Sequence, residues 1–176
     1  MIFVILGILL MFLGSSITMY NRFKSLDLQA EAALSNIDVA LSKRYDTLSN
    51  MVEVVKGYAK HEKDVLVSIT KARKDSLEGM SDADERQSSE MRQLLALAEA
   101  YPDLKADTNF LHLQKVIADV EEHLQAARRL YNQSVKEFNT GLQTFPSNII
   151  GSMMNLVAKP FYKADQQQKE NVQISM

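Results

Sequence analysis

The residues best suited to chemistry are three histidines, His61, His112 and His123, with the charged side chains near them. A di-metal centre in a helical protein needs Glu and His three apart on two helices, both facing inward. Position 120, three before His123, is Val, and position 58, three before His61, is Tyr; Asn109 precedes His112 at that spacing. His61-Glu62 begins like a zinc-binding HExxH helix, but position 65 is Val where the second histidine would stand. The absence of cysteine removes disulfides, thiolate zinc, iron–sulfur clusters and cysteine nucleophiles together. No glycine-rich phosphate loop, nucleophile elbow or basic–aromatic interleaving is present. The expectation is a protein that is not an enzyme, with no catalytic, cofactor-binding or metal-ligating residue and no cofactor. Its histidines are expected at surface or boundary positions.

What is left is chemistry of contact. Arg44 to Glu62, RYDTLSNMVEVVKGYAKHE, carries the most distinctive side chains. Arg44, Asp46, Lys56, Tyr58, His61 and Glu62 form a candidate partner surface; the plainer alternative is that Lys56, Lys60 and Lys63 are simply solvated. Gly57 falls inside a helical pattern, where glycine costs about 1 kcal/mol relative to alanine. Either it is tolerated or another helix approaches closely there. Arg128-Arg129 with Lys136 is a basic stretch that Glu121, Glu122 and Glu137 balance as a solvated face. Met91, Met153 and Met154 suit core gaps better than a cofactor. With 20 Lys and Arg against 22 Asp and Glu, the net charge of -2 exerts no pull toward nucleic acid.

The elements that must position these residues are helices. The chain has three Pro, six Gly and no Trp in 176 residues, and its middle is rich in Ala, Leu, Glu, Lys and Gln. Met1 to Tyr20 carries no charged side chain, and about twenty helical residues at 1.5 Å each reach the ~30 Å of a bilayer core. A cleaved signal peptide competes, but the basic start is missing and Gly14-Ser15-Ser16 is a mediocre cleavage site. A retained anchor is preferred.

Leu26, Ala30, Ala33, Ile37 and Leu41 then give a first soluble helix its apolar stripe, continuing directly from the span. Thr47-Leu48-Ser49-Asn50 is expected to end that helix and cap a second. Val52, Val55, Ala59, Leu66 and Ile69 mark the second helix, with Gly79 as its stop. Ser81 to Glu85 reads as the capped start of a third, which Pro102 ends. After a connector at 103–107, Phe110, Leu113, Ile117, Val120, Leu124, Ala127 and Tyr131 alternate steps of three and four. Ser134, Phe138, Leu142 and Phe145 extend that heptad-like pattern to about 36 residues. A lone coiled coil is one reading, but matching stripes within one chain favour a four-helix bundle. A short final helix is expected over 148–157, then a polar, Gln-rich, disordered tail over 158–176.

These residues also carry a resemblance. Arg44, Asp46, Leu48 and Asn50, Val55-Lys56-Gly57-Tyr58-Ala59 and His61-Glu62 resemble the LemA family of bacterial single-span membrane proteins. So do Tyr101-Pro102-Asp103-Leu104-Lys105-Ala106 with Asn109-Phe110, Ala127-Arg128-Arg129 with Tyr131-Asn132, and Phe145-Pro146 with Asn148-Ile149-Ile150. The likeness runs from about Tyr20 to Tyr162. It implies an all-α protein: a transmembrane anchor (1–20), an antiparallel up-down four-helix bundle with a short terminal helix (21–157), and the tail. Where the family commonly has Ile-Pro-Asn, this chain has Leu48-Ser49-Asn50. The break between helices one and two therefore lacks its proline. The family's biochemical role is unsettled, so the likeness leaves the function open.

Arg22, Lys24, Lys43 and Arg44 follow the span, which by the positive-inside rule directs the N-terminus outside and the bundle into the cytoplasm, at the cell membrane. Four antiparallel helices return the chain to the end where it left the bilayer. Ile149, Ile150, Met153, Met154, Phe161 and Tyr162 then become candidates for contact with the membrane surface, or else cover the open end of the bundle. The leading expectation is a membrane-anchored interaction or scaffold module whose partners are membrane lipid and another membrane or envelope protein. The alternative is a self-associating, homo-oligomeric protein that organises or remodels membrane through its C-terminal amphipathic helix.

Overall fold

A computed structural model describes residues 1–58 and 77–163. Helix α1 is Ile2–Tyr58, α2 is Leu77–Ala100, α3 is the single turn Pro102–Lys105, α4 is Thr108–Gln143 and α5 is Ser147–Met153. No strand occurs among the described residues.

Helix α1 corrects one expectation. It runs through Thr47-Leu48-Ser49-Asn50 without a break. The Thr47 hydroxyl donates to the carbonyl of Lys43, one turn back, at 2.8 Å instead of capping a new helix. Its apolar register also passes straight through: Ile37, Leu41, Leu48, Met51 and Val55 are all buried. Gly79 and the Ser81–Glu85 box likewise lie inside α2 and neither stop nor start a helix. Ala59, Leu66 and Ile69 of the second stripe, with Lys60 and Lys63, lie outside the described residues, as does the tail beyond 163.

Other boundaries follow the local chemistry. Tyr101, ahead of Pro102, has extended backbone (φ -123°, ψ 92°) and closes α2. Asp107 starts α4: its Oδ1 accepts from the backbone N–H of Asn109 at 2.8 Å and of Phe110 at 2.9 Å. Those bonds, Phe110's first, and then the Tyr58 hydroxyl hold the Asp107 carboxyl below its ordinary value. Helix α5 ends four residues before the expected Val157, because Asn155 adopts left-handed backbone (φ 52°). The N–H of Leu156 then bonds Gly151 O and that of Asn155 bonds Ser152 O, closing the helix C-terminus.

Two compact units divide the chain. One comprises residues 35–127 together with the segment from Tyr162. Its core joins Leu48, Met51, Val52 and Val55 of α1, Leu94, Leu97 and Ala98 of α2, Leu104 of α3, and Phe110 and Ile117 of α4. The other comprises residues 1–34 and 128–161. It packs Phe23 and Leu26 against Phe138, with Leu142 and Leu156 alongside. The Phe23 and Phe138 rings meet edge to face, centroids 5.5 Å apart.

Of the described helices, one is long and apolar enough to cross a membrane, and the apolar stretch at its start is exposed. Phe3 and Met11 show the pattern, at 88% and 79% of their accessible surface. Side chains so apolar and so little covered are of the kind that a bilayer interior accommodates. The heptad face of α4 is buried from Phe110 through Phe138, apart from half-buried Leu113, and is half-buried again at Leu142. Phe145, which the same spacing assigned to the core, is 80% exposed because α4 stops at Gln143.

Candidate functional site

Within the unit 35–127, the most elaborate side-chain chemistry surrounds Arg44. This residue was expected on a partner surface; it is fully buried. Its register explains why, since Ile37, Leu41, Arg44, Leu48, Met51 and Val55 follow steps of four and three along one face. The guanidinium has five N–H donors, and five bonds are formed. Nε donates to Gln87 Oε1 at 2.8 Å, and Nη1 to Ser88 Oγ at 3.3 Å and Glu121 Oε1 at 2.5 Å. Nη2 donates to the backbone carbonyl and Oδ1 of Asp84, both at 2.8 Å. Asp84 and Glu121 supply the counter-charge, at 9% and 23% side-chain exposure. The other Asp84 oxygen accepts from the Tyr162 hydroxyl at 3.0 Å, and Met80 O lies 3.2 Å from the same hydroxyl.

A buried cation with all its donors filled is held in one geometry and is shielded from solvent and partners. Sequence alone does not mark Asp84, Gln87, Ser88 and Glu121 as its ligands, nor Tyr162 as a donor to Asp84. The signal was present in α2, where Asp84, Gln87 and Glu90 occupy the face that Leu94, Leu97 and Ala98 continue. All six are buried. Polar residues at core register announce an internal partner, but they do not name it.

The other patch residues divide. Asp46 and Lys56 are exposed, and Lys56 pairs with Glu53 one turn back on its own helix. Tyr58, 40% exposed, donates its hydroxyl to Asp107 Oδ2 at 2.8 Å. That bond, more than burial, raises the phenol above its usual value. His61 and Glu62 lie outside the described residues. No described atom comes within 4 Å of where a Cβ on Gly57 would sit.

In the unit 1–34 with 128–161, the chain after α5 is strapped down. The Asn139 side chain bonds both the N–H and the carbonyl of Lys159, each at 2.8 Å. Tyr131 donates to Pro160 O at 3.0 Å. Lys159 Nζ reaches Asp27 Oδ1 at 2.6 Å and lies 5.4 Å from the Phe138 ring centroid. The hydrogen bond from Lys159, partly opposed by burial, holds the Asp27 carboxyl below its ordinary value.

Of the candidate membrane-contact residues, Ile149, Met153 and Phe161 are exposed and Met154 is half-buried. Ile150 and Tyr162 are buried and are withdrawn as contact residues. Ile150 is buried on α5, while the Tyr162 hydroxyl is taken up by Asp84 and Met80. Phe145 and Val157 join the exposed set, giving Phe145, Ile149, Met153, Val157 and Phe161 at intervals of four. His112 and His123 are exposed. Among the described residues no group of three or more His, Asp or Glu could hold a metal ion.

Comparison with known proteins adds identity to this geometry. A family model described as "LemA family" matches residues 33–176. "Protein LemA" of Metamycoplasma hominis is 28% identical over 155 residues, spanning 84% of this chain and 70% of that protein. "Magnetosome protein MamQ" of Magnetospirillum gryphiswaldense is 20% identical over 169 residues, spanning 78% of this chain and 62% of that protein. "Magnetosome protein MamQ 2" of Paramagnetospirillum magneticum is 18% identical over 170 residues, with 79% and 62% spanned. The chain thus covers less than two thirds of the magnetosome proteins it matches.

Proposed function

The chain belongs to the LemA family, and on that premise we propose that it is a membrane-anchored scaffold that works by contact and carries out no catalysis. One observation carries the reading. The uncharged residues Ile2–Tyr20 and the packed residues as far as Val55 belong to a single helix, with no loop between them. Such a helix joins the apolar stretch to the body without a linker. In this reading the body is an antiparallel up-down four-helix bundle, a view that the unbroken apolar register of α4 supports. Arg22 and Lys24, just past the apolar stretch, favour a single-pass topology with the body in the cytoplasm.

The partner-facing surface in this reading is Asp46, Lys56 and Tyr58, with His61 and Glu62 as sequence candidates beyond the described residues. Its partner is another membrane or envelope protein. Photoreactive residues placed at Asp46, Lys56 and Tyr58 in intact membranes, read by mass spectrometry, test it. A dominant partner that disappears on reversing the charges of Asp46 and Lys56 is expected. Cross-links confined to lipid and to copies of the chain would overturn it.

The exposed run Phe145, Ile149, Met153, Val157 and Phe161 favours a second reading, in which the protein self-associates and organises lipid through its C-terminal segment. Its residues belong to the same unit as the apolar helix. In that case protein lacking residues 1–20 binds phosphatidylglycerol vesicles and oligomerises with rising concentration. Serine at Ile149, Met153 and Phe161 should abolish the binding, and binding that persists unchanged would dispose of this role for the segment.

A further inference from the structure

Beside the end of the apolar stretch, the unit 1–34 with 128–161 forms an open pocket of about 530 Å³. Met19, Phe23 and Phe145 supply apolar wall, and Arg22, Lys136 and Glu137 supply charge. Its depth in the bilayer follows from chain position, given the reading that Ile2–Tyr20 spans the membrane. Met19 is then at the edge of the hydrocarbon, and Arg22 lies roughly 4.5 Å further along the axis, at headgroup level. Among the described residues neither Arg22 nor Lys136 is ion-paired. The apolar wall is built with care. Phe23 is 4% exposed and abuts Phe138, and a Cβ on Gly141 would lie 2.9 Å from its ring.

We infer that this pocket binds one anionic phospholipid of the surrounding bilayer. Arg22 and Lys136 hold the phosphodiester, and the glycerol and upper acyl chains lie against Met19, Phe23 and Phe145. The charge count selects the ligand. Two cations beside Glu137 leave one net positive charge, which a singly charged phosphodiester neutralises and a dianionic free phosphate would overfill. The apolar wall would be wasted on any ion without a hydrocarbon tail. A zwitterionic lipid brings its own ammonium beside Arg22 and Lys136 and is disfavoured.

The test uses the full chain reconstituted in nanodiscs of equal parts phosphatidylcholine and phosphatidylglycerol, with the lipids retained after detergent release counted by native mass spectrometry. Phosphatidylglycerol should be enriched on the protein over its share of the bilayer. The double substitution R22Q/K136Q should lower its retention roughly thirtyfold, as expected for two basic residues acting near an anionic surface. Thr140→Trp, which fills the pocket from an exposed wall position and keeps both cations, should displace retained lipid equally well. Retention of the two lipids in bulk proportion would overturn the site. So would loss in R22Q/K136Q with none in Thr140→Trp, since that pattern describes general surface attraction without a pocket. Alkaline carbonate extraction of the full chain from membranes is run first. Release there would bring down the anchor reading itself, an outcome distinct from failure of lipid selection.

Discussion

Arg44 and Phe23 lie on the same helix, and the two units use them in opposite ways. Around Arg44, a cation is buried beside Asp84 and Glu121, and each of its donors must be matched by an acceptor. Around Phe23, the contacts are ring edges, leucines and two glycines, and the buried cluster of Phe23, Leu26 and Phe138 holds no charge. Hydrogen bonds are directional, so the first arrangement fixes one geometry and fails abruptly when a partner is removed. Packing against Phe23 is tolerant of direction but sensitive to volume. One region is specified by bonding, the other by space.

The comparison breaks most visibly at Arg44. Replacing it with Ala leaves Asp84 and Glu121 without their cation, and unfolding should become easier by about 3–5 kcal/mol. Arg44→Lys keeps the charge but has three donors on one atom and cannot reproduce the five-bond fork, so it should recover only part of the loss. Denaturant midpoints of the full chain in micelles check both. A lysine variant as stable as the parent would mean that charge alone matters there. Replacing Arg44, Asp84 and Glu121 together by apolar residues of similar volume should cost less than Arg44→Ala alone, because no buried ion is then left unpaired.

Volume is the test on the other side. A Cβ on Gly141 meets Phe23 Cε1 at 2.9 Å, and one on Gly151 meets Leu142 Cδ2 at 2.6 Å. The shorter contact is the cheaper. Leu142 is half-buried and its methyl can rotate away, whereas Phe23 is held against Phe138. For Gly141→Ala, a helix-propensity gain of about 1 kcal/mol opposes an overpacking cost of about 1–3 kcal/mol. Net destabilisation of about 1 kcal/mol is expected, with Gly151→Ala closer to neutral. Thermal midpoints that rank the two the other way would show that the Phe23 corner yields easily.

How far these regions could be read in advance follows from the same contrast. Apolar periodicity is local, so the face of α4 from Phe110 to Phe138 and the boundary at Pro102 were legible residue by residue. The break expected at Thr47–Asn50 is absent because the apolar register through Leu48 and Met51 outweighs the capping tendency of short polar side chains. Arg44 stands in that register, at the step between Leu41 and Leu48, and its charge drew attention to the surface. Its ligands come from α2 and α4, 40 to 77 positions away in sequence, and no local pattern points across such a gap. Tyr162 was misassigned for a related reason: an aromatic near a terminus looks interfacial until a buried carboxylate claims its hydroxyl.

Acid should reach the Phe23 unit through its strap. Asp27 is held below its ordinary carboxylate value first by the hydrogen bond from Lys159. A depressed carboxyl contributes stability that is complete above the unfolded value of 3.8 and is lost as pH falls through the lower folded one. Asp27→Asn should therefore lower the neutral plateau slightly and flatten the acid limb, so that the two proteins converge in stability at low pH. An unaltered acid limb would mean that the strap depends on Asn139 and Tyr131 alone.

The smallest effect is expected at Tyr58, whose exposed bond to Asp107 contrasts with the sealed one from Tyr162 to Asp84. Donation to a carboxylate favours the neutral phenol and raises Tyr58 above the ordinary value of 10.0. Its contribution to stability is complete below that value and is lost as pH rises through the higher folded one. The difference between phenolate absorbance titrations of the parent and Tyr58→Phe isolates this group from Tyr131, which burial also raises. A difference curve centred at the ordinary tyrosine value would mean that water has replaced Asp107 as its acceptor. In that case the bonding that specifies the Arg44 unit stops at its buried centre, and the surface around Tyr58 is free to meet a partner.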